Sequence, residues 1–122
     1  MVRVAFVSIC LAAIPGAIGA TLIASHYSGQ LYTLNLSSTN QLTIAKSVSS
    51  GNRMPAWLDL DSTSKTVYIP DEIQWGQPLL KSFLVAADGS LTPKGQVQTA
   101  GGELHSTLYG GSDGKGFVAL AQ

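Results

Sequence analysis

Apolar and polar positions alternate in short runs along most of the chain. Trp57, Asp59 and Asp61 alternate with Leu58 and Leu60, and Leu31, Tyr32, Thr33, Leu34 and Leu36 form a second run of mixed facing. A period of two over such short stretches marks a half-buried strand. Four runs make one unit: Ala56 to Asp61, Thr66 to Pro70, Leu79 to Val85 and Leu91 to Val97. Turn chemistry separates them at Ser62-Thr63-Ser64-Lys65, Trp75-Gly76-Gln77-Pro78 and Asp88-Gly89, with Gly101-Gly102 after the last. No sustained helical period occurs beyond the opening segment, so the body is expected to be all-β.

The unit recurs. Leu34 and Leu36 return as Phe83 and Val85, Leu42-Thr43 as Leu91-Thr92 and Val48 as Val97, all at a spacing of 49. Gly51 returns as Gly101, Lys65 as Lys115, and Val67 and Ile69 as Phe117 and Ala119, at 50. Thr21 and Ile23 are matched to Val67 and Ile69 at 46, the shortfall of three falling in a longer loop at Ile73 to Pro78. A four-stranded antiparallel repeat of this length predicts propeller blades, whereas a β-sandwich does not repeat its sequence at a fixed period. The expected organisation over 20–122 is an incomplete β-propeller of roughly two four-stranded antiparallel blades: strands B, C and D of one blade, one complete blade, then strands A and B of the next.

Residues 1–19 read as a secretory signal peptide. Arg3 supplies the positive start, Val4 to Ile14 is apolar apart from Ser8, Pro15-Gly16 ends any helix, and Ala17-Ile18-Gly19 offers a small-x-small cleavage site. Cleavage is expected after Gly19 or Ala20. The competing reading is an uncleaved anchor, since no charged side chain lies between Arg3 and Lys46, but Pro-Gly interrupts the roughly 20 apolar residues that a span needs. Export makes the protein extracellular and free of the membrane, and makes Asn35-Leu36-Ser37 a usable glycosylation sequon at Asn35. Cys10, the one cysteine, leaves with the leader, so the mature chain has no disulfide and no thiolate ligand. Seven basic residues balance seven acidic ones, which argues against nucleic acid as a partner.

The run Met54-Pro55-Ala56-Trp57-Leu58-Asp59-Leu60-Asp61, then Lys65-Thr66-Val67-Tyr68-Ile69-Pro70-Asp71-Glu72, resembles the blade motif of the lactonase family. So do Asp88-Gly89-Ser90-Leu91-Thr92 and Gly101-Gly102-Glu103-Leu104-His105. That family includes 6-phosphogluconolactonases and 3-carboxy-cis,cis-muconate lactonising enzymes, seven-bladed propellers that hydrolyse lactones or interconvert a muconate and its lactone without a redox cofactor. The resemblance spans Thr21 to Gln122. It implies a small-molecule lactone or carboxylate as the partner of a full-length parent. It also implies that the catalytic His, Glu and Arg belong to blades beyond Gln122, so that this chain by itself is inactive. His105 is the repeat equivalent of the family's active-site histidine, one blade earlier.

Up-and-down connectivity sorts the loops. Those after the second and fourth strands of a blade emerge on one rim, carrying His26, Arg53, Asp71, Glu72, Glu103 and His105. The plain turns at Ser62 to Lys65, Ala87 to Ser90 and Ser112 to Lys115 fall on the other. His105 suits a general base or a hydrogen bond to a neighbouring blade, and Arg53 suits a carboxylate clamp or a solvated cation. Asp71 and Glu72 are adjacent, point to opposite sides and are expected to be solvated. The two histidines have no partners at metal-ligand spacing, so neither a metal nor any other cofactor is expected. The alternative to a lactonase is a non-catalytic secreted propeller that binds a partner, with no enzymatic role.

Overall fold

A computed structural model describes residues 20–110 and 116–122. The expected leader, Cys10 and the Asp113-Gly114 turn lie outside these residues. Nine strands form among the described residues: β1 (Ala20–His26), β2 (Gln30–Leu36), β3 (Leu42–Ser49), β4 (Asp59–Asp61), β5 (Thr66–Ile69), β6 (Leu79–Val85), β7 (Leu91–Gln98), β8 (His105–Gly110) and β9 (Gly116–Ala121). They pair antiparallel in chain order as three sheets, β1-β2-β3, β4-β5-β6-β7 and β8-β9.

Strand registers align the sheets residue by residue. Thr33 pairs with Ile23 and Ser82 with Tyr68, so the spacing of 49 between β2 and β6 makes Ile23 the counterpart of Tyr68, at 45. The expected match at 46 is therefore one residue out. A slip of one exchanges the two faces of a strand. The corrected register places Leu22 and Ala24 with Val67 and Ile69, all four buried, and His26 with Asp71. It also makes the longer connector four residues longer, 72–78 against 27–29.

The repeat extends to a defect. Pairing shifts between Thr33 and Leu34, leaving Ala45 unpaired in β3, and between Ser82 and Phe83, leaving Lys94 unpaired in β7. Both bulges sit on a terminal strand of their sheet, where they bend the edge, and the second accommodates Pro93, which has no N–H to give. The first strand of the complete sheet is shorter than the run from Ala56 predicts, because the segment before Asp59 is drawn off the ladder. Pro55 makes an isolated bridge to Asp71, and the Asp71 carboxylate takes the amides of Arg53 and Met54.

The first two sheets pack face to face through Ile23 and Leu31 on one side and Leu58, Val67, Ile69 and Phe83 on the other. At one rim the Thr33 hydroxyl donates to the Gly89 carbonyl at 2.6 Å, and the Lys46 ammonium meets Asp88 at 2.5 Å and Ser90 at 2.6 Å. Gly89 is required there: its φ is +79°, and a Cβ would lie 2.6 Å from the Thr33 methyl.

The Lys46 hydrogen bond first, then the Ser90 amide and hydroxyl, hold Asp88 well below its ordinary value of 3.8. A lowered folded-state pKa stabilises the fold above the unfolded value and loses that contribution as pH falls through the folded one. Acidification below about pH 4 is therefore expected to lower the melting temperature. Asp88→Asn should flatten that fall, more visibly at low salt because the pair is exposed. An acid limb identical in the variant would remove Asp88 from this role.

Candidate functional site

Six side chains were expected on one rim, and the connectors place them as follows. His26 ends β1 half-buried, its Nδ1 accepting the Ser28 amide at 3.1 Å and lying 2.9 Å from the Ser28 hydroxyl. Arg53 is exposed in the β3–β4 connector and gives its backbone N–H to Asp71 Oδ2 at 3.2 Å. Asp71 accepts the Met54 amide as well, at 2.8 Å, and is 2% exposed. The expectation of a solvated Asp71-Glu72 pair is thus corrected: two amides desolvated by the tight connector take the Asp71 carboxylate out of water. Glu72 is half-buried and accepts the Tyr27 hydroxyl at 2.5 Å, joining the β1–β2 and β5–β6 connectors.

Glu103 is 1% exposed in the β7–β8 connector, with Oε1 accepting the Gly101 amide at 2.8 Å. His105 opens β8 exposed, its ring tilted 38° against Trp57 at 4.2 Å. Nearby, the Ser106 hydroxyl donates to the Asp59 carboxylate, so β8 is tied to β4 by one charge-assisted bond and to the connector before β4 by one ring contact. Asn52, Asp59 and Ser106 belong to this region and were not singled out by sequence. Asp59 had a signal, as a carboxylate alternating with leucines on a strand that leads its sheet; Asn52 and Ser106 had none.

Four buried side-chain polar atoms lack a partner among the described residues: Asn52 Oδ1, Trp57 Nε1, Thr99 Oγ1 and Glu103 Oε2. All four belong to the β3–β4 and β7–β8 connectors, which emerge on the rim of the candidate residues. Buried polar groups in folded proteins are normally satisfied by protein, water or ligand, so this rim has unspent hydrogen-bonding capacity of both signs. A groove of about 410 Å³ between residues 49–51 and strands β6 and β7 is lined by none of the six candidates. Asn35 is exposed near the end of β2. No cluster of three or more His, Cys, Asp or Glu side chains suited to a metal ion occurs among the described residues.

Consecutive antiparallel sheets, stacked through their faces and joined by connectors that lead from a terminal strand to the first strand of the next sheet, define an incomplete β-propeller. Residues 18–122 match the family described as Lactonase, 7-bladed beta-propeller. The chain belongs to the lactonase family. No curated protein and no solved structure matches it.

Proposed function

We propose that the protein is an exported lactonase-like propeller whose Arg53 and His105 rim receives a small lactone or carboxylate. The parent activity would be lactone hydrolysis or the muconate cycloisomerisation of 3-carboxymuconate cyclases. The observation that carries this reading is the concentration of exposed His105 and Arg53, together with all four unsatisfied buried polar atoms, on one rim of a lactonase-family chain. Hydrolysis needs a base to take a proton from water and a donor for the ring oxygen as the C–O bond breaks. His105 can take the proton from water and return it to the leaving ring oxygen, and Arg53 can hold a carboxylate.

This arc alone does not turn over substrate. Asp71 spends both carboxylate oxygens and Glu103 one of its two on backbone amides, and transition-state stabilisation needs several preorganised groups converging on one point. The same engaged carboxylates favour, as a second reading, a secreted propeller that binds without catalysis. Exposed Ile44, Tyr109 and Phe117 further lead the chain to self-associate.

A titration of residues 20–122 with δ-valerolactone, followed by amide NMR, tests both parts at once. Shifts at Arg53, Trp57 and His105, with the lactone intact, are expected. Shifts confined to Asp88-Gly89, or turnover abolished by His105→Ala, would contradict the site or the inactivity respectively.

A further inference from the structure

The groove between residues 49–51 and strands β6 and β7 plays no part in the chemistry of His105 and Arg53. It opens where the two packed sheets part. Phe83 is buried between them, and two residues away on the same face of β6 stands Lys81, half-buried, flanked by Ile69 in β5 and Gln96 in β7. On the other side β3 ends at Ser49, and the chain turns at Gly51, φ +71°. A Cβ at Gly51 would collide with Lys81 Nζ, so the glycine is the seat of the ammonium.

That ammonium is unspent. Lys46 has Asp88 and Ser90, and Lys94, which also lines the groove, gives its ammonium to the Thr66 hydroxyl at 2.9 Å. Lys81 Nζ has no hydrogen-bond or ion-pair partner among the described residues, and no Asp or Glu among them lines the groove. Nor does the blade repeat call for a cation there, since the counterpart of Lys81 at the spacing of 49 is Tyr32. A charge drawn half out of water without a partner carries a cost that an anion would offset.

The rest of the lining says what the anion carries. Ser49 and Gln96 supply neutral donors, whereas Phe83 and Pro93 make part of the wall apolar. Its volume of about 410 Å³ falls within the range of about 300–1,000 Å³ that small organic ligands occupy. We infer that the groove binds a small organic anion, with its carboxylate on the Lys81 ammonium and its apolar body along Pro93.

The test is a titration of the chain with benzoate, followed by amide NMR. Saturating shifts at Gly51, Ser82 and Gln96 are expected. Affinity should fall about tenfold in Lys81→Gln, be kept in Lys81→Arg, and change less than about twofold in Lys94→Gln, whose ammonium is already engaged. Benzyl alcohol lacks the charge and acetate the apolar body, so each should bind about tenfold more weakly than benzoate. Absence of saturating shifts, or equal benzoate affinity in Lys81→Gln, would overturn the site. Shifts confined to Arg53, Trp57 and His105 would give the anion to the rim and overturn it too. Acetate or sulfate binding as tightly as benzoate would make the groove an unselective counterion patch, again contrary to the inference.

Discussion

Phe83→Ala is expected to cost about 3–5 kcal/mol, a large share of the chain's stability at 25 °C. Phe83 is 2% exposed and sits in the one cluster that joins the first two sheets, with Ile23 and Leu31 facing Leu58, Val67 and Ile69. It pairs with Val67 on one side and, directly after the bulge, with Pro93 on the other. The ring therefore fills the space where the bend in β7 begins, and its loss leaves a cavity that the constrained bulge cannot collapse to fill. No disulfide supports the described residues, and domains of this size have about 5–15 kcal/mol in total. Phe83→Leu, closer in volume, should lose about 1–1.5 kcal/mol. Thermal melting by circular dichroism decides it: the alanine variant should lose its transition or melt roughly 15 °C lower, and an unchanged midpoint would mean that the sheets do not share this core.

Asp71→Ala should be the next most damaging change, at about 2–4 kcal/mol. Its carboxylate is the only side chain shown to hold the Arg53 and Met54 amides, and its backbone bridges to Pro55. Removing it strands two amides where the β3–β4 connector crosses the end of β5, and frees the segment that presents Arg53. Asp71→Asn keeps one acceptor oxygen and should lose about half as much. Amide exchange locates the effect: Arg53, Met54 and Glu72 should lose protection first, while β2 and β3 keep theirs. Uniform protection in Asp71→Ala would show that the carboxylate is not the clasp.

Much of this fold was legible because turn chemistry and period-two patterning agree. Leu79 to Val85 appears with the ends read from sequence, and Leu91 to Val97 is extended only by Gln98. The bulges were not legible, since Ala45 and Lys94 share no residue type and a bulge is set by edge bending and twist. The first repeat spacing failed for a similar reason. Thr-Leu-Ile-Ala offers apolar residues at consecutive positions, so composition permits either face, and only pairing to β2 selects one.

On the rim, loop membership followed from strand count, which fixes the end of a sheet at which a connector lies. Burial did not follow. Whether Asp71 meets water or two amides depends on how a proline-containing connector turns back, and whether Glu103 is exposed depends on Gly101 and Gly102 both taking positive φ.

The most direct measurement is a set of long-range proton NOEs on labelled chain, because the central claim is stacked propeller sheets with His26, Arg53, Asp71, Glu72, Glu103 and His105 on the rim opposite Gly89. Contacts are predicted between the Thr33 methyl and the Gly89 α-protons, and between the Tyr27 ring and Glu72, with none from Gly89 to His26, Glu103 or His105. Contacts from Gly89 to His105 or Glu103, with those to Thr33 missing, would put both loop sets on one face and contradict the propeller stacking.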